Sequence, residues 1–163
     1  MVGFSAADPS GQKRRPGTNR FAFDDAEDFT SLETHYIRAM PSVVRFEDLP
    51  RLRSTRDGRD RIDLVTEELF GWTDIQADFI RYEPGDTAAA HYHIGARHIW
   101  FVVEGSAVFH LGDETHGVGV GDVATAGDGE VHWFENTGDV PFAFYEIWVP
   151  APTETVWVVA DDI

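Results

Sequence analysis

The chain of 163 residues contains no cysteine. This excludes disulfide bridges, thiolate chemistry and cysteine-ligated zinc, so any metal must be held by histidine, aspartate or glutamate. The chain also lacks an apolar run of about 18 residues, and no transmembrane helix is expected. Residues 1–17 lack the apolar core of a secretory signal, which makes the cytoplasm the expected location.

Positive charge is scarce. The chain has 13 lysine and arginine residues against 29 acidic residues, and its formal net charge is −16. Such a surface repels nucleic acid and anionic membranes, so neither is an expected partner. No P-loop, G-x-S-x-G or HExxH motif is present, and we interpret the glycine-rich residues 117–121 as a turn rather than a dinucleotide-binding loop.

From Ile62 onward, short segments rich in apolar residues recur between glycine-containing turns. Their spacing of roughly ten residues, without a long helical pattern, predicts a β-sandwich or small barrel. The predicted strands are residues 63–70, 74–82, 88–93, 98–103, 107–111, 122–126, 131–135, 141–149 and 155–159.

The N-terminal part of the chain has a different character. Residues 1–40 are predicted to form a mostly irregular arm, flexible over residues 1–30 and with a short helix over residues 28–40. A first strand is predicted over residues 42–46, followed by a charged loop over residues 47–60. Residues 41–163 are therefore predicted to be a single domain.

Four of the seven histidines fall within one part of the chain: His91, His93, His98 and His132. Strand side chains alternate between faces, so His91 and His93 should point the same way, about 6–7 Å apart. His98 has the opposite parity and can join them only if the chain turns at Gly95. Imidazole is a suitable ligand for Fe, Mn, Co, Ni, Cu and Zn.

The four histidines lie in two blocks of fixed spacing. The first covers residues 85–105 and reads Gly85, five residues, His91, one, His93, four, His98, six, Gly105. The second covers residues 121–136 and reads Gly121, five residues, Gly127, one, Gly129, two, His132, three, Asn136. Together they resemble the two cupin motifs, G-x5-H-x-H-x(3–4)-E-x6-G and G-x5-P-x-G-x2-H-x3-N, with His98 in place of the glutamate and Gly127 in place of the proline.

The resemblance implies an all-β fold, the double-stranded β-helix or jelly-roll barrel of the cupins, over residues 41–163. It also implies one divalent transition metal, Fe(II) for preference and otherwise Mn, Ni, Cu, Co or Zn, bound by His91, His93, His98 and His132. Four neutral imidazoles leave the site at +2, which would attract enolates, phenolates or carboxylates. A metal-free, degenerate cupin is less favoured, because four buried imidazoles need partners.

The three remaining histidines, His35, His110 and His116, are interpreted as structural, since an isolated histidine is weak evidence for a site.

Strand parity places Trp100 and Phe134 beside the metal, in the wall of the substrate pocket. By resemblance to other small cupins, Tyr145 points inward, Glu146 points outward and Asp78 lines the cavity. Trp100, Phe134 and Tyr145 are thus the predicted pocket residues, and Tyr145 and Asp78 are the candidate catalytic residues for moving protons.

Many small single-domain cupins are dioxygenases, so the resemblance implies a metal-dependent dioxygenase acting on a small enolisable or phenolic molecule. Two alternatives stay open: a non-redox isomerase, cyclase or lyase that uses the metal as a Lewis acid, and a cupin that binds a small ligand without turnover. The resemblance also implies a homodimer in which residues 42–46 pair with the neighbouring sheet.

Overall fold

The computed structural model describes residues 29–33, for the backbone alone, and residues 43–158. These form two antiparallel sheets, a single-turn helix α1 (Glu67–Phe70) and a short 3₁₀ turn (Phe46–Asp48). The predicted all-β class is confirmed. Within the described residues, neither helix has the length and apolar character of a membrane-crossing segment.

The larger sheet has seven strands in the order β1-β2-β3-β4-β11-β6-β9. Their bounds are β1 (Phe29–Glu33), β2 (Arg51–Ser54), β3 (Asp60–Val65), β4 (Gln76–Tyr82), β6 (Arg97–Glu104), β9 (Val123–Ala126) and β11 (Phe142–Val149). The smaller sheet has five strands in the order β12-β5-β10-β7-β8. Their bounds are β5 (His91–Ile94), β7 (Ser106–Leu111), β8 (Glu114–Gly119), β10 (His132–Glu135) and β12 (Glu154–Trp157).

An aromatic core lies between the two sheets. Its members come from both sheets and include Tyr82, Trp100, Phe109, Phe134, Phe142 and Phe144, all at most 3% exposed. Burying a side chain of this size stabilises a fold by roughly 1.5–3 kcal/mol. The core fills the barrel directly beside the histidine-bearing strands, so those strands have a rigid support.

The structure corrects the predictions made for residues 28–60. The helix predicted over residues 28–40 is absent from residues 29–33, which form β1 and pair with β2; residues 34–40 lie outside the described part. The strand predicted over residues 42–46 is also wrong, because residues 43–45 are irregular and a 3₁₀ turn begins at Phe46. The predicted loop over residues 47–60 contains β2. A strand rich in charged residues lacks the alternation that reveals a half-buried strand, and here Arg53 pairs with Asp60 across β2 and β3 at 2.7 Å.

The prediction also missed β8, which pairs with β7 along its whole length. Gly117 and Gly119 lie within this strand, and glycine contributes no side chain to an alternating pattern. The actual turn follows at Gly121, which has a φ of 95°.

Candidate metal centre

Three histidines converge on one point between neighbouring strands of the smaller sheet. His91 and His93 alternate with exposed or half-buried residues on β5, and His132 on β10 is the register partner of His91. Their donor nitrogens all lie within 4.8 Å of one another. Within the described residues, no other group of histidines and carboxylates meets this condition.

Hydrogen bonds fix how these rings present their nitrogens. His91 Nδ1 lies 2.8 Å from the carbonyl oxygen of Ala89, and His132 Nδ1 lies 2.8 Å from that of Glu130. A carbonyl can only accept, so each Nδ1 carries the proton and each Nε2 keeps its lone pair. Metal-binding histidines are commonly oriented in this way.

His93 supplies the clearest sign that a cation fits here. Its Nδ1 contacts the Thr155 hydroxyl at 3.0 Å, while its buried Nε2 has no hydrogen-bond partner in the structure. A buried nitrogen without a partner is costly unless something else satisfies it. The donor set of three neutral imidazoles therefore fits a divalent transition ion.

His98 reaches the same region from the other sheet, because Gly95, with a φ of 77°, turns the chain between β5 and β6. Its ring centroid lies 5.1 Å from that of His93 and 5.3 Å from that of His132. It nevertheless stands outside the three-histidine cluster: its Nε2 lies 3.2 Å from Glu146 Oε2, and its ring stacks on Trp148. The predicted set of four ligands is therefore not confirmed, and three are brought together.

The parity predicted for β11 is wrong. Tyr145 is 39% exposed and packs on Phe79 at the outer surface, while Glu146 is 6% exposed and points inward. Glu146 Oε2 accepts a hydrogen bond from Trp100 Nε1 at 3.2 Å and contacts His98. These partners offset the cost of burying the carboxyl. Tyr145 does not line the pocket, contrary to the prediction.

A small pocket adjoins the centre. The structure places Trp100 and Phe134 in its wall, on the side that strand parity predicts. The wall also contains three of the four histidines and two charged side chains; its residues are Arg59, Tyr82, Ala88, His91, His98, Trp100, His132, Trp133, Phe134, Phe144 and Glu146.

Burial governs the protonation of the centre. It lowers the pKa of all four histidines, because the charged ring would lose its hydration, and it brings the pKa of His93 to about 3 and that of His132 to about 4. Burial raises the pKa of Glu146 to about 7, against the opposing field of Arg59. The contact between His98 and Glu146 is therefore a hydrogen bond rather than an ion pair.

The other predicted residues lie away from the three donors. Asp78 is fully buried and lies opposite Glu146 on β4, where burial raises its pKa and Arg61 is 3.8 Å away. His110 stacks on Trp133 with ring centroids 4.2 Å apart, and His116 is half-exposed beside Glu114. His35 lies outside the described residues.

Comparison with known proteins identifies the family. The profile of the Cupin_2 family, a cupin domain, matches residues 78–149. The oxalate-binding protein of Thermotoga maritima is 31% identical over 110 residues, which span 64% of this chain and 91% of that protein. This chain belongs to the cupin superfamily. The family match contains all four motif histidines and Glu146.

Solved structures share the architecture of this cupin. The polyketide cyclase RemF from Streptomyces resistomycificus aligns with a TM-score of 0.65 and 21% identity over 76% of this chain and 89% of the cyclase. A Bacillus subtilis oxalate decarboxylase with Mn(II) centres aligns with a TM-score of 0.57 and 22% identity over 62% of this chain and 28% of that chain. Identities this low show the fold alone, and the predicted cupin barrel is confirmed.

Sequence reasoning missed two charged residues of this cupin's pocket. Glu146 could have been recognised from the sequence, because it is the only charged residue within the apolar strand β11. A charged side chain there needs buried partners, which is typical of a functional site. Arg59 could not have been recognised in this way, because it lies among other charged residues in a segment predicted to be a loop.

Proposed function

We propose that this cupin is a metal-dependent enzyme that binds one divalent transition ion through His91, His93 and His132 and acts on a small anionic molecule. The observation that carries the proposal is the convergence of three neutral imidazoles, with His93 Nε2 buried and without a partner. A divalent ion held there would supply a Lewis acid for an anionic oxygen of the substrate. Mn(II) and Fe(II) are the ions we favour.

His98 is proposed as a fourth ligand. Its Nδ1 lies 3.3 Å from His132 Nε2, a separation that suits two nitrogens bound to one ion at about 2.0–2.1 Å each. His132 Nε2 carries a lone pair, so this nitrogen and His98 Nδ1 have either a shared proton or a shared cation between them. A metal would then replace the proton.

His98→Ala is expected to weaken metal binding about 10- to 100-fold and leave the fold intact. Dissociation constants from competition with a chromophoric chelator would measure this, with His110→Ala as the matched control on the outer face of the same barrel. An unchanged affinity in His98→Ala would mean that the centre has three protein ligands and that His98 serves only to contact Glu146.

The pocket favours a substrate of few atoms. The space enclosed by its walls is small, because aromatic side chains crowd it. The oxalate-binding relative supports a carboxylate, and enolates of similar size are compatible with the same charge. Trp100, Phe134 and Phe144 keep the walls apolar, which excludes water and strengthens electrostatic contacts with an anion.

For the reaction itself we propose oxygen-dependent turnover of a small enolisable acid, the dioxygenase hypothesis. An octahedral ion held by four protein ligands would have two positions open, enough for the substrate and a second small ligand. A non-redox reaction is the second candidate, and Glu146 favours it. This carboxyl sits in the pocket wall, held by Trp100 and His98, where it can hold or move a proton of the substrate.

The two candidate reactions can be distinguished by whether they consume oxygen. Protein purified after expression in iron- or manganese-supplemented medium is expected to contain one ion per chain by elemental analysis. With a panel of small oxo- and hydroxy-acids, the dioxygenase hypothesis requires oxygen uptake that matches substrate loss. Turnover that continues under strict anaerobiosis would contradict it in favour of the non-redox reaction. A ligand recovered unaltered from metal-loaded protein would contradict both.

A further inference from the structure

Arg59 is a buried cation in the wall of the metal pocket. It ends the turn between β2 and β3, and its side chain is only 12% exposed. It shares the pocket with His91 and His132, and its charge lowers the pKa of all four histidines of the centre. The guanidinium thus lies close to the point where the ligands converge.

The turn holds this guanidinium firmly. Arg59 Nε donates to Asp57 Oδ1 at 2.9 Å, and the backbone nitrogen of Asp57 lies 3.3 Å from the hydroxyl of Ser54. Tyr82 lies beside Arg59 in the pocket wall, and the positive charge of Arg59 opposes the burial that raises the pKa of the Tyr82 phenol. A guanidinium has five N–H donors in a planar fork, more than the contact with Asp57 uses.

Packing alone does not account for a cation here. Arginine stays protonated at all physiological pH values, and burying its charge is costly even beside Asp57 and within the field of the Glu146 carboxyl. The same volume could be filled by an apolar residue at lower cost. A buried fork directed at a metal pocket is instead well suited to a carboxylate, which it can bind through two parallel hydrogen bonds.

We propose that Arg59 is the second anchor of the substrate, so that the site selects small molecules with two anionic ends, one at the histidine cluster and the other at the Arg59 guanidinium. The inference rests on the proposed metal-dependent function. The ligand class is short dicarboxylates and oxo-dicarboxylates, because the enclosed space is small and the two anchors lie in the wall of one pocket. An acid with a single carboxylate can use one anchor but not both.

Isothermal titration of the Mn(II)-loaded full chain with oxalate, malonate and acetate would test this. The wild-type protein is expected to bind at least one dianion about 30-fold more tightly than acetate, the effect of one charge-assisted contact. Arg59→Met should lose this preference, keep one Mn(II) per chain and bind acetate as before. Arg53→Met is the matched control, since Arg53 pairs with Asp60 at the surface and should leave the preference unchanged.

The outcomes distinguish this inference from the proposed function. A wild-type chain that holds no metal overturns both. A chain that holds Mn(II) but binds dianions no better than acetate overturns the inference and leaves the metal centre standing. Equal dianion binding by wild type and metal-loaded Arg59→Met overturns the role of Arg59 alone.

Should Arg59→Met fail to fold, two further measurements keep the test decisive. Arg59→Lys retains the charge but not the fork, and it should lose most of the preference. The wild-type protein should bind oxalate about 30-fold more tightly than monomethyl oxalate, which has almost the same size and one charge fewer. Equal binding of these two molecules would overturn the inference without any substitution.

Discussion

His132→Ala is expected to lower the affinity of the centre for Mn(II) by roughly 100-fold or more. His132 is the only member of the three-histidine cluster that comes from β10, so its loss breaks the cluster and leaves His91 and His93 on one strand. Of the proposed ligands only His98 would then approach an ion from another strand. His132 is also the cluster member that contacts His98, and the substitution removes that contact as well.

Thermal unfolding with and without metal would measure this loss alongside chelator competition. At a metal concentration about 100 times the wild-type Kd, binding stabilises the folded state by about 2.7 kcal/mol, and a 100-fold weaker site gains only about 0.4 kcal/mol. His110→Ala should behave as wild type, because its ring stacks on Trp133 away from the cluster. Full metal stabilisation in His132→Ala would place the ion elsewhere.

Gly105→Ala is expected to destabilise the fold by about 3 kcal/mol or more. Gly105 joins β6 to β7 with a φ of 66°, a conformation that alanine adopts at a cost of about 1–2 kcal/mol. A Cβ there would also lie 2.2 Å from the carbonyl oxygen of Pro141. Backbone cannot move aside as a side-chain tip can, so the joint between the two sheets must distort.

Gly112→Ala provides the matched control. Gly112 also has a positive φ, of 54°, but no atom lies within 4 Å of the position its Cβ would take. It should lose only about 1 kcal/mol. Urea denaturation of both variants gives the difference directly. Equal losses would mean that the chain beside Pro141 relaxes at little cost and that the close approach at Gly105 is not a constraint.

The resemblance to the cupin motifs implied the barrel and four converging histidines, of which three come together, and local rules explain part of this agreement. Alternation along β5 places His91 and His93 on one face, and a glycine at position 95 permits the turn that brings in His98. Glycine tolerates a positive φ that other residues avoid, so its position in a sequence marks a turn. Such features are fixed by a few neighbouring residues.

Side-chain direction on β11 could not be predicted in the same way. Its sequence from Phe142 to Val149 is apolar on both faces, since the outer face is also partly covered, and alternation is lost. The resemblance to other small cupins implies an outward direction for Glu146. That expectation is wrong because Trp100 and His98, distant in sequence, supply hydrogen bonds that only the folded barrel brings together.

The position of Arg59 in the pocket wall also depends on residues that are distant in sequence. The residues before β3 are charged and contain a glycine, which is typical of a loop. The pairing of β3 with β4 brings this turn to the pocket, where Asp57 accepts a hydrogen bond from the guanidinium and Tyr82 lines the same wall.

The short strand β12, at the edge of the smaller sheet, supports two histidines of the centre. Thr155 on this strand contacts His93 Nδ1, and Trp157 packs against His91 with centroids 4.8 Å apart. Among the described strands β12 pairs with β5 alone, and strands at a sheet edge open by local fluctuation before the interior does. On warming, the two rings would lose their supports while the aromatic core is still intact, so heat would disorder the histidine cluster at a lower temperature than it melts the barrel.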